Sequence, residues 1–372
     1  MAPDPSIRRI GVMSGGGDCP GLNAVIRAVT KTAMNDYGLE VWGIADGFLG
    51  LIENRMRPLT YEDVSNILTL GGTILGSSNK ANPAHFATGR DRQGNPVFED
   101  VTDRVVQHAR DARLDGIVCI GGDGTMTGAA ALAEHGLRFV GAPKTIDNDL
   151  MHTEVTFGFH TAVDTAAEAL ARIRTTAASH HRVMLVEMMG RNAGWLTLYA
   201  GAASGADVIL IPEIPFDIDR VTEQCLRRSR KDRAYTLIAV AEGAAPLGGE
   251  VVVDRVVRDS PDPLRLGGVS EVLCEQIAAR SHLECRATIL GHVQRGGTPS
   301  AFDRVLGTQF GHRAVELFMA GEHNRLVVMQ NGQLTSVPLA EVAGRQRTVP
   351  PDHPLITASR AVGTCFGDPD PR

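Results

Sequence analysis

Residues 141–149 read Gly-Ala-Pro-Lys-Thr-Ile-Asp-Asn-Asp and close a short apolar run over 138–141. A run of this kind that ends in glycine and proline reads as a buried strand passing into a loop. Asp147 and Asp149 sit two apart, beside Thr145 and Lys144. One carboxylate of such a pair can take a proton from a hydroxyl nucleophile while the other helps to hold Mg²⁺. The threonine hydroxyl and the lysine ammonium can hydrogen-bond phosphoryl oxygens. Such a set suits movement of a phosphoryl group to an alcohol. Upstream lies Asp123, inside Gly121-Gly122-Asp123-Gly124-Thr125, a second loop of phosphate-binding type.

Outward from this loop, short apolar runs alternate with helical patterns. Runs at 7–13, 39–45, 116–120, 182–188, 207–211, 234–241 and 286–290 read as strands, and 22–35, 101–113, 161–178 and 270–281 as helices. That rhythm predicts an α/β fold with mostly parallel sheets flanked by helices. A chain of 372 residues is long enough for two domains. The Gly/Pro/Asp-rich stretches 86–98 and 243–268 are expected as surface loops, and about the last eight residues are expected to fray. No internal repeat or low-complexity segment is visible.

Composition narrows the function classes. The chain is 43% hydrophobic and 22% charged, with a formal net charge of −6. This balance offers no nucleic-acid surface, and an anionic substrate has to be met by a local basic pocket. Aromatic residues make up only 5%, too few for stacking platforms. Six cysteines, Cys19, Cys119, Cys225, Cys274, Cys285 and Cys365, lack CxxC spacing, which fits reduced thiols and a cytoplasmic location. The N-terminus lacks a signal pattern, and no apolar run reaches the ~18 residues of a membrane span, so no membrane partner is expected.

The first strand runs into Ser14-Gly-Gly-Gly-Asp-Cys-Pro-Gly-Leu-Asn23, followed by a helix. Glycines let a backbone approach phosphate closely, and a helix N-terminus offers unpaired N–H groups. The loop is neither a Walker A sequence nor a GxGxxG fingerprint. Alone it is equally a tight strand–helix turn. Cys19 lies near a helix start, which invites the reading of a reactive thiol, though not as the favoured one. His180 and His181 lack an evident third metal ligand.

The joint pattern is more specific. SGGGDCPGLN at 14–23, GGDGT at 121–125, PKTIDND at 143–149, EMMGRNAG at 187–194, AEG at 241–243 and RATILGHVQRGG at 286–297 follow one another in this chain. In order and spacing they resemble the 6-phosphofructokinase family, over roughly residues 7–330. NAD and lipid kinases share only the GGDG element.

The resemblance implies ATP and fructose 6-phosphate as substrates and a site in a cleft between two domains. It divides the chain into 1–158 plus 294–344, for ATP and Mg²⁺, and 159–293 plus 345–372, for the sugar phosphate. Asp147 would be the base for the sugar's 1-hydroxyl, with Asp123 and Asp149 at the Mg²⁺ positions. Gly17, Gly124, Thr125 and Gly128 match nucleotide-phosphate positions, and Thr145 a contact to the transferred phosphoryl group. His292 and Arg295 match ligands of the 6-phosphate. So do Arg182 and Arg286, which in the family come from a neighbouring subunit and so imply a homotetramer or homodimer. Glu242, Met189, Gly190 and Arg191 match contacts to the sugar and the transfer site.

Two departures stand out. Leu75-Gly-Ser-Ser-Asn79 carries asparagine where many members have an arginine bridging donor and acceptor phosphates. Lys144 stands where many ATP-dependent bacterial members have glycine, so Lys144 or Lys80 is expected to supply the missing charge. A lysine at this position accompanies pyrophosphate use in the family, usually together with an aspartate in place of Gly124. Gly124 leaves room for a nucleotide, which makes ATP the first donor and pyrophosphate the second. Arg27, Lys31, Arg174, Asp207, Lys231 and Arg233 fall near an effector site of regulated members, or are plain surface charges. A rival of another class, a non-catalytic sugar-phosphate-binding subunit, would have no need of Asp123, Asp147 and Asp149 together.

Overall fold

The computed structural model describes residues 4–230, 235–257 and 263–369. Two sheets organise it. In the larger, the strands run Gln333–Pro338, Arg325–Gln330, Phe139–Thr145, Gly116–Gly121, Arg9–Ser14, Glu40–Ile44, Met56–Pro58 from edge to edge. The five inner strands are parallel and the two edge strands antiparallel. The short strand Phe157–Gly158 pairs with the end of Phe139–Thr145. In the smaller sheet, Val208–Leu210, Thr236–Ala241, Val183–Met188 and Cys285–Ile289 are all parallel. The central strands are buried along their whole length, the expected state of parallel strands covered by helices on both faces.

Helix Leu22–Tyr37 turns Leu22, Val25, Ile26, Val29 and Ala33 inward at helical spacing. It ends at Gly38, whose left-handed backbone donates its N–H to the carbonyls of Ala33 and Met34. Helix Ala301–Met319 packs against it closely, because Gly311 leaves no Cβ to meet the Val25 carbonyl. The chain leaves the larger sheet at Gly158 into helix Phe159–His180 and returns through the turn Gly291–Gln294. The two crossings are joined where the Asp303 carboxylate accepts from the Thr161 N–H at 2.8 Å.

Several local expectations are revised. The 86–98 stretch forms an antiparallel hairpin, Phe86–Arg90 with Pro96–Glu99, closed by Asp91 accepting the N–H groups of Gln93 and Asn95. Within 243–268, Val253–Val256 pairs with Leu264–Leu266. Of the last eight residues, 370–372 lie outside the described residues, and 365–368 do not fray. Phe366 is fully buried, Cys365 exchanges backbone hydrogen bonds with Asp207 and Ile209, and Arg360 grips Asp368 with two. Among the described residues no helix is long and apolar enough to cross a membrane.

Candidate active site

In open α/β sheets a ligand crevice forms at the carboxyl ends of strands whose connections leave in opposite directions. Each sheet has such a point. In the larger sheet it lies between Arg9–Ser14 and Gly116–Gly121, and there the two glycine loops meet. The Gly15 N–H donates to the Ile120 carbonyl, and Gly15 lies against the Thr125 side chain. In the smaller sheet it lies between Val183–Met188, which connects to Val208–Leu210, and Thr236–Ala241, which connects to Cys285–Ile289 on the other side. The Leu290 N–H donates to the Glu187 carbonyl beside it.

The PKTIDND loop follows its strand directly. Thr145 Oγ1 accepts from the Asp147 N–H at 3.0 Å, and Asn148 takes a left-handed backbone with φ 51°, which asparagine tolerates. The Asn148 side chain is spent internally: it accepts from the Thr156 N–H and donates to the Glu154 carbonyl. Asp147 is buried, and its Oδ1 has no protein partner. Burial, and next the Asp147 charge, push the Asp149 carboxyl up to about 7. Asp123, at the start of helix Asp123–Glu134, is half-buried and likewise raised by burial.

Lys144 is buried and donates its ammonium to the Gly17 carbonyl. Burial lowers its pKa, and the Asp147 charge opposes this. One of the two lysines expected to supply the charge absent at Asn79 is thus tied to the first glycine loop. Loop 75–80 also lies on that loop, since Gly16 N–H donates to Ser78 and Ser77 Oγ to Gly16. Asn79 and Lys80 are exposed there. Arg295 reaches the same place. Its Nη1 donates to the Asp18 carbonyl at 3.2 Å, and its guanidinium fills the space a Gly17 side chain would need.

From the smaller sheet come loop 189–191 and Glu242. Glu242 Oε1 accepts from the Gly190 N–H at 3.2 Å and the Arg191 N–H at 2.9 Å. Burial raises Glu242 to about 7, and the Asp147 charge adds to the rise. Gly243 has no room for a side chain, because a Cβ would collide with the Arg191 carbonyl. The Arg191 charge lowers the pKa of both Asp123 and Asp149, so it acts across the cleft on the carboxylates of the other sheet. Met189 is partly buried beside the core, and His292 is exposed on the turn Gly291–Gln294.

Other sequence candidates fall elsewhere. Arg182 and Arg286 lie at the opposite, amino ends of their strands, where both pair with Glu284. Gly124 faces open space, whereas Gly128 packs on the Phe48 ring. Arg27 and Lys31 line a cavity of about 470 Å³ with Tyr61 and His312, which Arg174 and Asp207 do not line. Arg174 instead donates to the Ser204 and Gly205 carbonyls, and Asp207 pairs with Arg228. Lys231 and Arg233 lie outside the described residues. Burial pushes the Cys19 thiol up, away from reactivity.

One element escaped the sequence reading. Segment 344–349 lies across the cleft, where Gly344 N–H donates to Asp123, Gln346 to Asp149 and Val349 N–H to Glu213.

The carboxylates suit a divalent cation: negative charge is concentrated in a buried place, and Asp147 Oδ1 is unpartnered. Among the described residues no three His, Cys, Asp or Glu side chains enclose a metal by themselves. Mg²⁺ is commonly held by one or two carboxylates with waters and substrate phosphates, so the donor set fits.

Residues 9–318 match the protein family described as Phosphofructokinase. The chain belongs to the phosphofructokinase family. It is 47% identical over 364 residues to ATP-dependent 6-phosphofructokinase 2 of Clostridium perfringens, covering 97% of this chain and 99% of that one. It is 46% identical over 345 residues to the pyrophosphate–fructose 6-phosphate 1-phosphotransferase of Amycolatopsis methanolica, covering 92% and 97%. Among solved structures, Pichia pastoris phosphofructokinase in the T-state superposes with a TM-score of 0.73 and 32% identity. That likeness covers 92% of this chain and 36% of the Pichia chain, so this phosphofructokinase spans about a third of that relative's length. A pyrophosphate-dependent phosphofructokinase from Nitrosospira multiformis shares the fold, with a TM-score of 0.79 at 18% identity over 99% of this chain and 94% of that one.

Proposed function

We propose that this phosphofructokinase transfers the γ-phosphoryl group of ATP to the 1-hydroxyl of fructose 6-phosphate, giving fructose 1,6-bisphosphate. The observation that carries this reading is the placement of Asp147. It is buried, with an unpartnered oxygen, within electrostatic reach of Lys144 on the glycine-loop side and of Glu242 on the other.

In this reading residues 1–158 with 294–344 bind the nucleotide, and 159–293 with 345–372 bind the sugar phosphate. Gly17, Gly124, Thr125 and Gly128 belong to the nucleotide side. Asp147 takes the proton of the 1-hydroxyl as it attacks, a task in which position matters most. Thr145, Lys144 and Arg191 face the transferred group. Glu242, Met189 and Gly190 orient the sugar, and His292 and Arg295 hold its 6-phosphate. Asp123 and Asp149 would hold Mg²⁺, which when bound neutralises phosphate charge. Arg182 and Arg286 serve a neighbouring subunit's site in a homotetramer or homodimer, consistent with their distance from this chain's own cleft.

A coupled assay for fructose 1,6-bisphosphate with ATP and with pyrophosphate, side by side, tests the reading. Turnover with ATP at least tenfold above that with pyrophosphate is expected. The second reading, pyrophosphate as donor, is favoured by Lys144 and by the Amycolatopsis relative.

A further inference from the structure

Segment 344–349 gives most of its polar groups to the active-site loops. Arg347 donates two guanidinium hydrogen bonds to the Asn148 carbonyl, at 2.7 and 3.2 Å, and one to the Glu154 carbonyl. Its backbone N–H donates to the Asp149 carbonyl at 2.7 Å. Gln346 Nε2 donates to Asp149 Oδ2 at 3.2 Å, and Gln346 pairs with Leu150 in an isolated antiparallel bridge. The segment is itself anchored on the smaller-sheet side. Trp195 Nε1 donates to the Arg347 carbonyl at 3.0 Å, and the Arg347 guanidinium lies over the indole at 4.3 Å. The left-handed backbone of Asn148 sets the direction of the carboxylates on either side, and the Arg347 guanidinium bonds the carbonyl of that residue.

We propose that Arg347 and Gln346 are positioning residues, which hold Asp147 and Asp149 in reacting geometry by strapping the PKTIDND loop to the opposite side of the cleft. The proposal rests on the functional reading above. Neither residue has to touch substrate. Arg347 suits the task because its planar fork can serve two carbonyls while its face stacks on an indole.

The test uses the full chain with Trp42→Phe, which leaves Trp195 as its single tryptophan. Arg347→Met is expected to lower kcat by ~10–100-fold, since small misplacements of reacting groups cost rates of this order. The KM values for both substrates should stay within about threefold, because the substrate-binding groups are untouched. Trp195 emission should move to longer wavelength as the indole loses its cover, a readout that needs no substrate. Arg347→Lys should recover part of kcat. Gln346→Glu should lose more kcat than Gln346→Met, because it sets a second carboxylate against Asp149. The Gln346 pair is half-buried and keeps the test valid if Arg347→Met fails to fold.

Normal kcat with shifted Trp195 emission would overturn the proposal and leave the strap a packing element. Equal kcat in the two Gln346 variants, or losses confined to KM, would overturn it as well. Absence of turnover in the unmutated chain strikes the functional reading instead; the ratios of variant to parent strike this one.

Discussion

Arg182 and Arg286 share one carboxylate: Glu284 Oε1 lies 2.9 Å from the first guanidinium and 2.6 Å from the second. Arg286 lies on one of two adjacent parallel strands and Arg182 immediately before the other, both at the amino ends, away from the cleft. In the proposed reading, the place this carboxylate fills between the half-buried Arg182 and the exposed Arg286 is the one a phosphate dianion would take. Arg286→Ala is therefore expected to raise KM for fructose 6-phosphate by ~10–100-fold, the loss of one charge-assisted contact, and to leave KM for ATP nearly unchanged. Glu284→Gln should act in the opposite direction and lower KM for the sugar phosphate. Steady-state kinetics in both substrates decides this, and a change in the ATP constant alone would remove Arg286 from the sugar-phosphate site.

Asp147 is the base in this reading, and its variants should fold. Its Oδ1 makes no hydrogen bond. Asp147→Ala is expected to lower kcat by ~10²–10⁴, the usual worth of a general base. The melting temperature should hold or rise, since a buried carboxylate is removed from a cluster with Asp149 and Glu242. Near-normal turnover in the folded variant would exclude Asp147 as the base.

Glu242 links the site to stability through pH. Burial raises its pKa from the usual 4.5 to about 7. Below 4.5 the carboxyl is protonated in both folded and unfolded chains and carries no cost. Between 4.5 and 7 the unfolded chain ionises first, so this group's contribution to stability falls as pH rises, and it levels off above 7. Glu242→Gln removes that titration while its side-chain oxygen can still accept from Gly190 and Arg191. The variant's gain in melting temperature over the parent should therefore grow from pH 4.5 to 7, corresponding to up to ~3 kcal/mol. Differential melting across that range measures it. A gain that is constant with pH would place Glu242 in a more solvated setting than the structure gives it.

What was legible in the sequence was local. Glycine loops, the PKTIDND carboxylates and the buried runs of parallel strands carry their meaning in adjacent residue types. The strap at 344–349 carries none, because the Gln346 and Arg347 side chains and the backbone N–H groups of Gly344, Arg347 and Val349 all meet partners more than a hundred residues away. The hairpin of Arg325–Gln330 with Gln333–Pro338 was legible and still missed. Its turn is Asn331-Gly332, with φ 50° and 70°, the favoured two-residue connection. The ordered residues 365–368 follow from Phe366 and the Arg360–Asp368 pair, which outweigh the local glycine and proline signals.

Choice of donor turns on Gly124 and Lys144, which pull in opposite directions. Gly124 is exposed at the start of its helix, and a Cβ there would meet nothing within 4 Å. An aspartate can be introduced without steric damage, so any effect of Gly124→Asp is one of charge and of occupied space near the nucleotide. Repulsion between such a carboxylate and an α-phosphate at ~4 Å is on the order of 4 kcal/mol at an effective dielectric near 20, before screening takes its share. Pyrophosphate has no nucleoside-bearing phosphate and escapes that contact. Lys144, by contrast, is buried and held by the Gly17 carbonyl. The parent enzyme is expected to prefer ATP, and Gly124→Asp to lose at least tenfold more kcat/KM with ATP than with pyrophosphate. Lys144→Gly should lower kcat with both donors alike if the lysine replaces the cation absent at Asn79. Ready turnover of pyrophosphate by the parent, with negligible turnover of ATP, would instead make Lys144 the residue that sets the donor.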